Sequence, residues 1–163
     1  MITPQGEWLG ANVPEAGLPA VIHGDYHLDN TLASPLEPQI LAIIDWELAT
    51  VGDPYMDVAL MLMFWGEYRT QQPPAFTALQ SVSRRSGVIS RRELAGRWSE
   101  SVGRPLHHMN FYMALAFWRL AAIIEGAYGL FVTGQLTTDY ARGLEYDVPA
   151  LLAEAERAAK GDW

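Results

Sequence analysis

The sequence predicts an α+β fold dominated by helix, with a small β-hairpin in front and a run of helices behind. Three observations predict it. The short apolar runs "LPAVIH" and "ILAIID" each end at a glycine or an acidic residue, as strands do on entering loops. From Asp53 onward the apolar residues lie in longer helical stretches cut by Gly and Pro. The chain has 163 residues, the size of one domain with its own core.

Residues 1–17 lack a basic start and an apolar run, so they read as a polar, turn-rich lead-in and not as a secretory signal. A single domain is expected over 18–160. Its first element is the strand before Gly24. "NTLA", the turn "SPLEPQ" and "ILAIID" then predict a hairpin. Folding it symmetrically sets Ala33 against Ala42, Thr31 against Ile44, and Asn30 against Asp45. Asp53 followed by Pro54 marks the start of a helix through "VALMLMFW". "RTQQPPA" breaks that helix, and a further one is expected from Phe76 to Arg85, ending at Gly87. Ser90 to Glu93 is a capping box that opens the next, which Gly103 and Pro105 end. A long helix is expected from about Met109 to Glu125, and an amphipathic one from about Glu145 to Lys160. The apolar stretch from Phe111 to Val132 contains Arg119 and Glu125, which are costly in lipid, so it reads as a buried helix and no membrane partner is expected.

A net charge of -8 and a pI near 4.8 argue against a surface that neutralises nucleic acid phosphates. With no cysteine, any metal must be held by oxygen or by histidine nitrogen, and a cytoplasmic setting is compatible.

"VIHGDYHLDN" at positions 21–30 concentrates polar groups on a short piece of chain. If the hairpin brings Asn30 beside Asp45, an amide carbonyl and a carboxylate form a hard oxygen pair of the kind Mg²⁺ accepts, with phosphates and waters completing its shell. Asp25, just before the hairpin, could take a proton from an attacking hydroxyl. A metal against developing phosphate charge and a positioned base are the requirements of phosphoryl transfer.

"HGDYHLDN", "IIDWE" and "GDPYMDVA" together resemble the aminoglycoside phosphotransferase family, small-molecule kinases with a protein-kinase-like fold. The resemblance covers about residues 18–160 as a C-terminal catalytic lobe. It implies Asp25 as catalytic base, Asn30 and Asp45 as metal ligands, and Mg²⁺ and ATP as cofactor and phosphoryl donor. His23 and Asp57 would support the catalytic loop. His27, Glu47 and Arg119 would face substrate or stand behind the ligands. The stretch "FYMALAFWRLAAIIEGAYG" is similar to the kinase-like half of acyl-CoA dehydrogenase fusion proteins, which suggests a small hydroxylated acceptor. The family's N-terminal lobe, with its phosphate-covering loop and clamp lysine, has no counterpart in these residues, since the only lysine is Lys160. A missing lobe or a homo-oligomer is therefore expected to complete the site.

Two other readings stay open on the residues alone. The same fold could serve as a non-catalytic binding module or remnant. Alternatively, His23, Asp25, His27 and Asp29 alternate and could form the cluster of a metal-dependent hydrolase.

Overall fold

The computed structural model describes residues 2–15, 17–66 and 82–163. Helices dominate, as expected: α1 (Ile2–Ala11), β1 (Ala20–Ile22), β2 (Thr31–Ala33), β3 (Ile40–Ile43), β4 (Thr50–Gly52), α2 (Tyr55–Met63), α3 (Arg91–Val102), α4 (Met109–Val132) and α5 (Asp139–Ala159). The predicted break at "RTQQPPA" and most of the helix predicted from Phe76 lie outside the described residues, while 82–87 form turns.

The expected turn-rich lead-in is instead mostly helix. Gly6, Gly10 and Pro4 make α1 a poor helix by propensity, so packing has to hold it. Leu9 is buried in the core, and a side chain at Gly6 would come within 3.2 Å of the Trp118 ring, so the glycine lets α1 lie close to α4. Asn12 closes the helix by donating its amide to the Trp8 carbonyl.

The strands form two antiparallel ribbons. β2 and β3 make the predicted hairpin, but its register differs: Thr31 faces Ile43, Leu32 faces Ala42, and a bulge then sets Ala33 opposite Ile40. Symmetric folding about the turn could not anticipate the extra residue. The second ribbon pairs β1 with β4, Ile22 facing Thr50 and Ala20 facing Gly52. It closes a loop from the first strand to the start of α2 and places the HGD turn over that helix.

Asp53 initiates α2 through the Tyr55 amide, which donates to Oδ1 at 3.0 Å, while the Tyr112 hydroxyl donates to Oδ2 at 2.7 Å. Burial and this carboxylate hold the Tyr112 hydroxyl well above the usual phenol range. The capping box of α3 forms as predicted, Ser90 accepting from the Glu93 amide and Glu93 reaching back to the Ser90 amide. That reciprocal bonding lowers the Glu93 pKa, the Ser90 side chain contributing most.

α4 and α5 run antiparallel, with Asn110 near one end of α4 donating to the Ala159 carbonyl near the far end of α5. Between them and α2 lies the core, in which Phe117, Leu62, Met63, Met113, Leu144 and Leu151 are fully buried. By length and composition α4 could cross a membrane. Its buried positions end at Ile124, however, and Ile123, Leu130 and Val132 are exposed, which corrects the expectation of a helix buried throughout. α5 begins earlier than predicted because Thr138 caps it by accepting from the Ala141 amide, and it continues through Pro149.

Candidate active site

The HGD turn is held from three directions. From α2, Asp57 accepts the His23 amide at 2.6 Å and the Gly24 amide at 2.9 Å, one on each carboxylate oxygen. From the hairpin, the Ile44 carbonyl lies 2.7 Å from Nε2 of His23, while Nδ1 of the same ring accepts the Asp25 amide at 3.2 Å. These two contacts select the Nε2–H tautomer, so His23 donates to the hairpin and accepts from the loop. From α4, Arg119 donates to the Gly24 carbonyl at 3.1 Å. Arg119, expected to face substrate or to stand behind the ligands, thus bonds the loop through a backbone carbonyl.

Gly24 permits this geometry. Its φ of +84° is left-handed, and a Cβ there would lie 2.5 Å from the Leu48 carbonyl oxygen. The Trp46 ring then covers His23 at 4.8 Å between centroids, its indole N–H donating to the Ile43 carbonyl. That cover is not evident from the residues alone. An aromatic residue directly after the hairpin aspartate was the available signal.

Asp25 and Asn30 meet beyond the turn. Asn30 is buried, and its Nδ2 donates to the Asp25 carbonyl at 2.7 Å and to Asp25 Oδ2 at 3.2 Å. With the amide nitrogen so engaged, the Asn30 side-chain oxygen makes no hydrogen bond among the described residues. His27 packs on Phe64 at 5.0 Å and sets Nε2 3.7 Å from Asp25 Oδ2. Its side chain is 15% exposed and that of Asp25 is 42% exposed. The histidine is therefore part of the site wall, and the carboxylate remains open to a second molecule.

The hairpin brings Asp45 to the same end. The Ile44 amide donates to the Asn30 carbonyl at 2.9 Å, so Asp45 follows directly after the residue paired with Asn30, not opposite it as the symmetric register predicted. Asp45 has φ 67° and ψ 53°, a left-handed conformation that turns the chain off the strand and into the short 3-10 turn Trp46–Leu48. Its carboxylate is exposed and makes no hydrogen bond among the described residues. An uncommitted amide oxygen and an uncommitted carboxylate are a hard donor set, and they fit Mg²⁺ chemically. Glu47 is also exposed, without a side-chain hydrogen bond among the described residues.

The alternating row His23, Asp25, His27 and Asp29 does not assemble as a metal cluster. Among the described residues no group of three or more His, Asp or Glu side chains could hold an ion. Both ring nitrogens of His23 are already engaged, and Asp29 is exposed.

A family profile described as a phosphotransferase enzyme family matches residues 5–87. The chain is 33% identical over 137 residues to mouse acyl-CoA dehydrogenase family member 10, covering 81% of this chain and 12% of the relative. It is 33% identical over 136 residues to human acyl-CoA dehydrogenase family member 11, covering 82% of this chain and 17% of the relative. Among solved structures, that of a candidate aminoglycoside phosphotransferase from Ralstonia eutropha JMP134 superposes with a TM-score of 0.78 at 30% identity, over 98% of this chain and 49% of that one. The chain thus spans less than a fifth of these two relatives and about half of the solved neighbour.

Proposed function

The chain belongs to the phosphotransferase enzyme family, and on that premise we propose that it is the catalytic lobe of an ATP-dependent small-molecule kinase that moves a γ-phosphoryl group to a substrate hydroxyl. One observation carries the reading. Asn30 is fixed to Asp25 through its nitrogen, which orients a proton acceptor and leaves a hard oxygen donor free on the same short loop.

In this reading the acceptor hydroxyl donates to the half-exposed Asp25 carboxylate. As its oxygen bonds to the γ-phosphorus, the bond from that phosphorus to the β–γ bridging oxygen breaks and the hydroxyl proton passes to Asp25. Asn30 and Asp45 would hold Mg²⁺, whose charge, when it is bound, offsets the negative charge on the phosphates. Asp57, His23 and Arg119 keep the backbone from Gly24 to Asp25 fixed while the proton moves. The likeness to acyl-CoA dehydrogenase family members 10 and 11 supports a small hydroxylated acceptor.

The test is transfer from radiolabelled ATP and Mg²⁺ to a panel of small alcohols. Transfer is expected, and Asp25→Ala should lower turnover by about 10²–10⁴-fold with nucleotide affinity nearly unchanged, whereas Asp45→Ala should weaken metal binding. Equal loss of nucleotide binding in both variants would contradict these roles. One observation favours a second reading, a binding module of the same fold: Lys160, the only lysine, is bonded to Glu156 at 2.6 Å at the far end of α5. Phosphoryl transfer by this chain alone would eliminate that alternative.

A further inference from the structure

A cavity of about 370 Å³ lies behind the HGD turn, and neither Asp25 nor Asn30 nor Asp45 is among its lining residues. Its rim is exposed, with Val21 at 71% and Trp46 at 48%, whereas its floor is fully covered, with Leu62 at 1% and Ala95 at 0%. It therefore deepens from solvent into the contact between α2 and α3. Two loop supports, His23 and Asp57, form part of its wall.

The lining restricts what can enter. Most of it is aliphatic or aromatic, with Trp46, Trp98 and Tyr26 offering ring surfaces. Among the described residues no lysine or arginine lines it, and Asp57 places a carboxylate in its wall, so an anion would be desolvated against a like charge. Both His23 nitrogens are engaged, and each Asp57 oxygen already accepts an amide. The Tyr26 hydroxyl and the Trp98 indole N–H make no hydrogen bond among the described residues. They remain for one polar atom on a largely apolar guest.

From this lining we infer that the cavity binds an uncharged, flat aromatic molecule of one or two fused rings, and that its occupancy stiffens the HGD turn through His23 and Asp57. The guest is not the phosphoryl acceptor, because the groups assigned to phosphoryl transfer lie outside the cavity. The proposal therefore stands or falls separately from the kinase reading. A molecule seated between α2 and the loop favours the conformation in which Asp57 holds the two amides, and that preference is the coupling.

The test uses two probes with the same ring, 2-naphthol and naphthalene-2-sulfonate, titrated into the 163-residue chain and followed by tryptophan fluorescence and amide shifts. Saturable binding of 2-naphthol is expected, with shifts concentrated at Tyr26, Leu62 and Ala95. The sulfonate should bind more weakly by about tenfold or more. Ala95→Phe fills the floor and should cost 2-naphthol a similar factor; Met61→Trp, from the α2 side, serves if the first variant does not fold. Hydrogen exchange at the Gly24 amide should slow in the complex. Absence of saturable binding, equal binding of the sulfonate, or shifts that avoid these residues in the unmodified chain would overturn the site. Unchanged exchange at Gly24 would overturn the coupling.

Discussion

Asp57 and Asp147 are two helix aspartates with opposite environments. Asp57 receives two backbone amides, so its charge is matched where it stands. Asp147 is fully buried on α5, and among the described residues neither of its oxygens has a hydrogen-bond partner. Desolvation pushes its pKa up from 3.8 to about 6. The sign of the effect on stability follows. Between these values the folded chain holds a proton that the unfolded chain has released, so stability falls as pH rises from about 4 to about 6 and is then flat. Above that range the buried charge costs on the order of 1–3 kcal/mol. Asp147→Asn should therefore be more stable than the parent at pH 7, and the difference should shrink toward pH 4 in urea unfolding. A difference independent of pH would show that Asp147 does not carry this burden. No local pattern marks it, since a carboxylate at a buried helical position looks like any surface aspartate until the neighbouring helix is in place.

At the scale of elements, the loop and its supports act as one unit. Gly24→Ala would bring a methyl against the Leu48 carbonyl and require an alanine at φ +84°. The variant should lose about 2 kcal/mol or more of stability and release the amides that Asp57 holds, which hydrogen exchange at His23 and Gly24 would report. Wild-type exchange in Gly24→Ala would contradict the rigid-turn account. Much of this unit was legible in the residues, because "HGD", "IIDWE" and the Asp53–Pro54 helix start are local signals. The capping box at Ser90 was equally local. What could not be read depended on distant partners. β4 exists because Thr50–Gly52 finds Ala20–Ile22 some thirty residues earlier, and α1 exists because Leu9 reaches the core. The hairpin register failed by one residue at a bulge that no turn rule located. That the partner of Arg119 is the Gly24 carbonyl could be shown only by the fold.

At the scale of the whole molecule, the two ribbons are unevenly covered. Leu32, Ile40, Leu41 and Val51 are exposed to between 49% and 70%, more apolar strand surface than two short ribbons usually present to water. We propose that this surface is covered when the protein works, by a second lobe or a second copy. Sedimentation over a range of concentrations should show self-association of the chain, weakened by Leu41→Asp together with Val51→Asp. A monomer at every concentration would leave covering by a second lobe as the remaining possibility. The central claim, however, is that Asn30 and Asp45 at one end of the hairpin hold a divalent ion beside Asp25. Mn²⁺ with ATP, added to the isotopically labelled chain, tests it most directly, because the ion broadens the resonances nearest to it. The account predicts that Asp25, Asn30 and Asp45 broaden first and that Asp45→Ala removes the effect. Broadening centred elsewhere, or unchanged in Asp45→Ala, would contradict it.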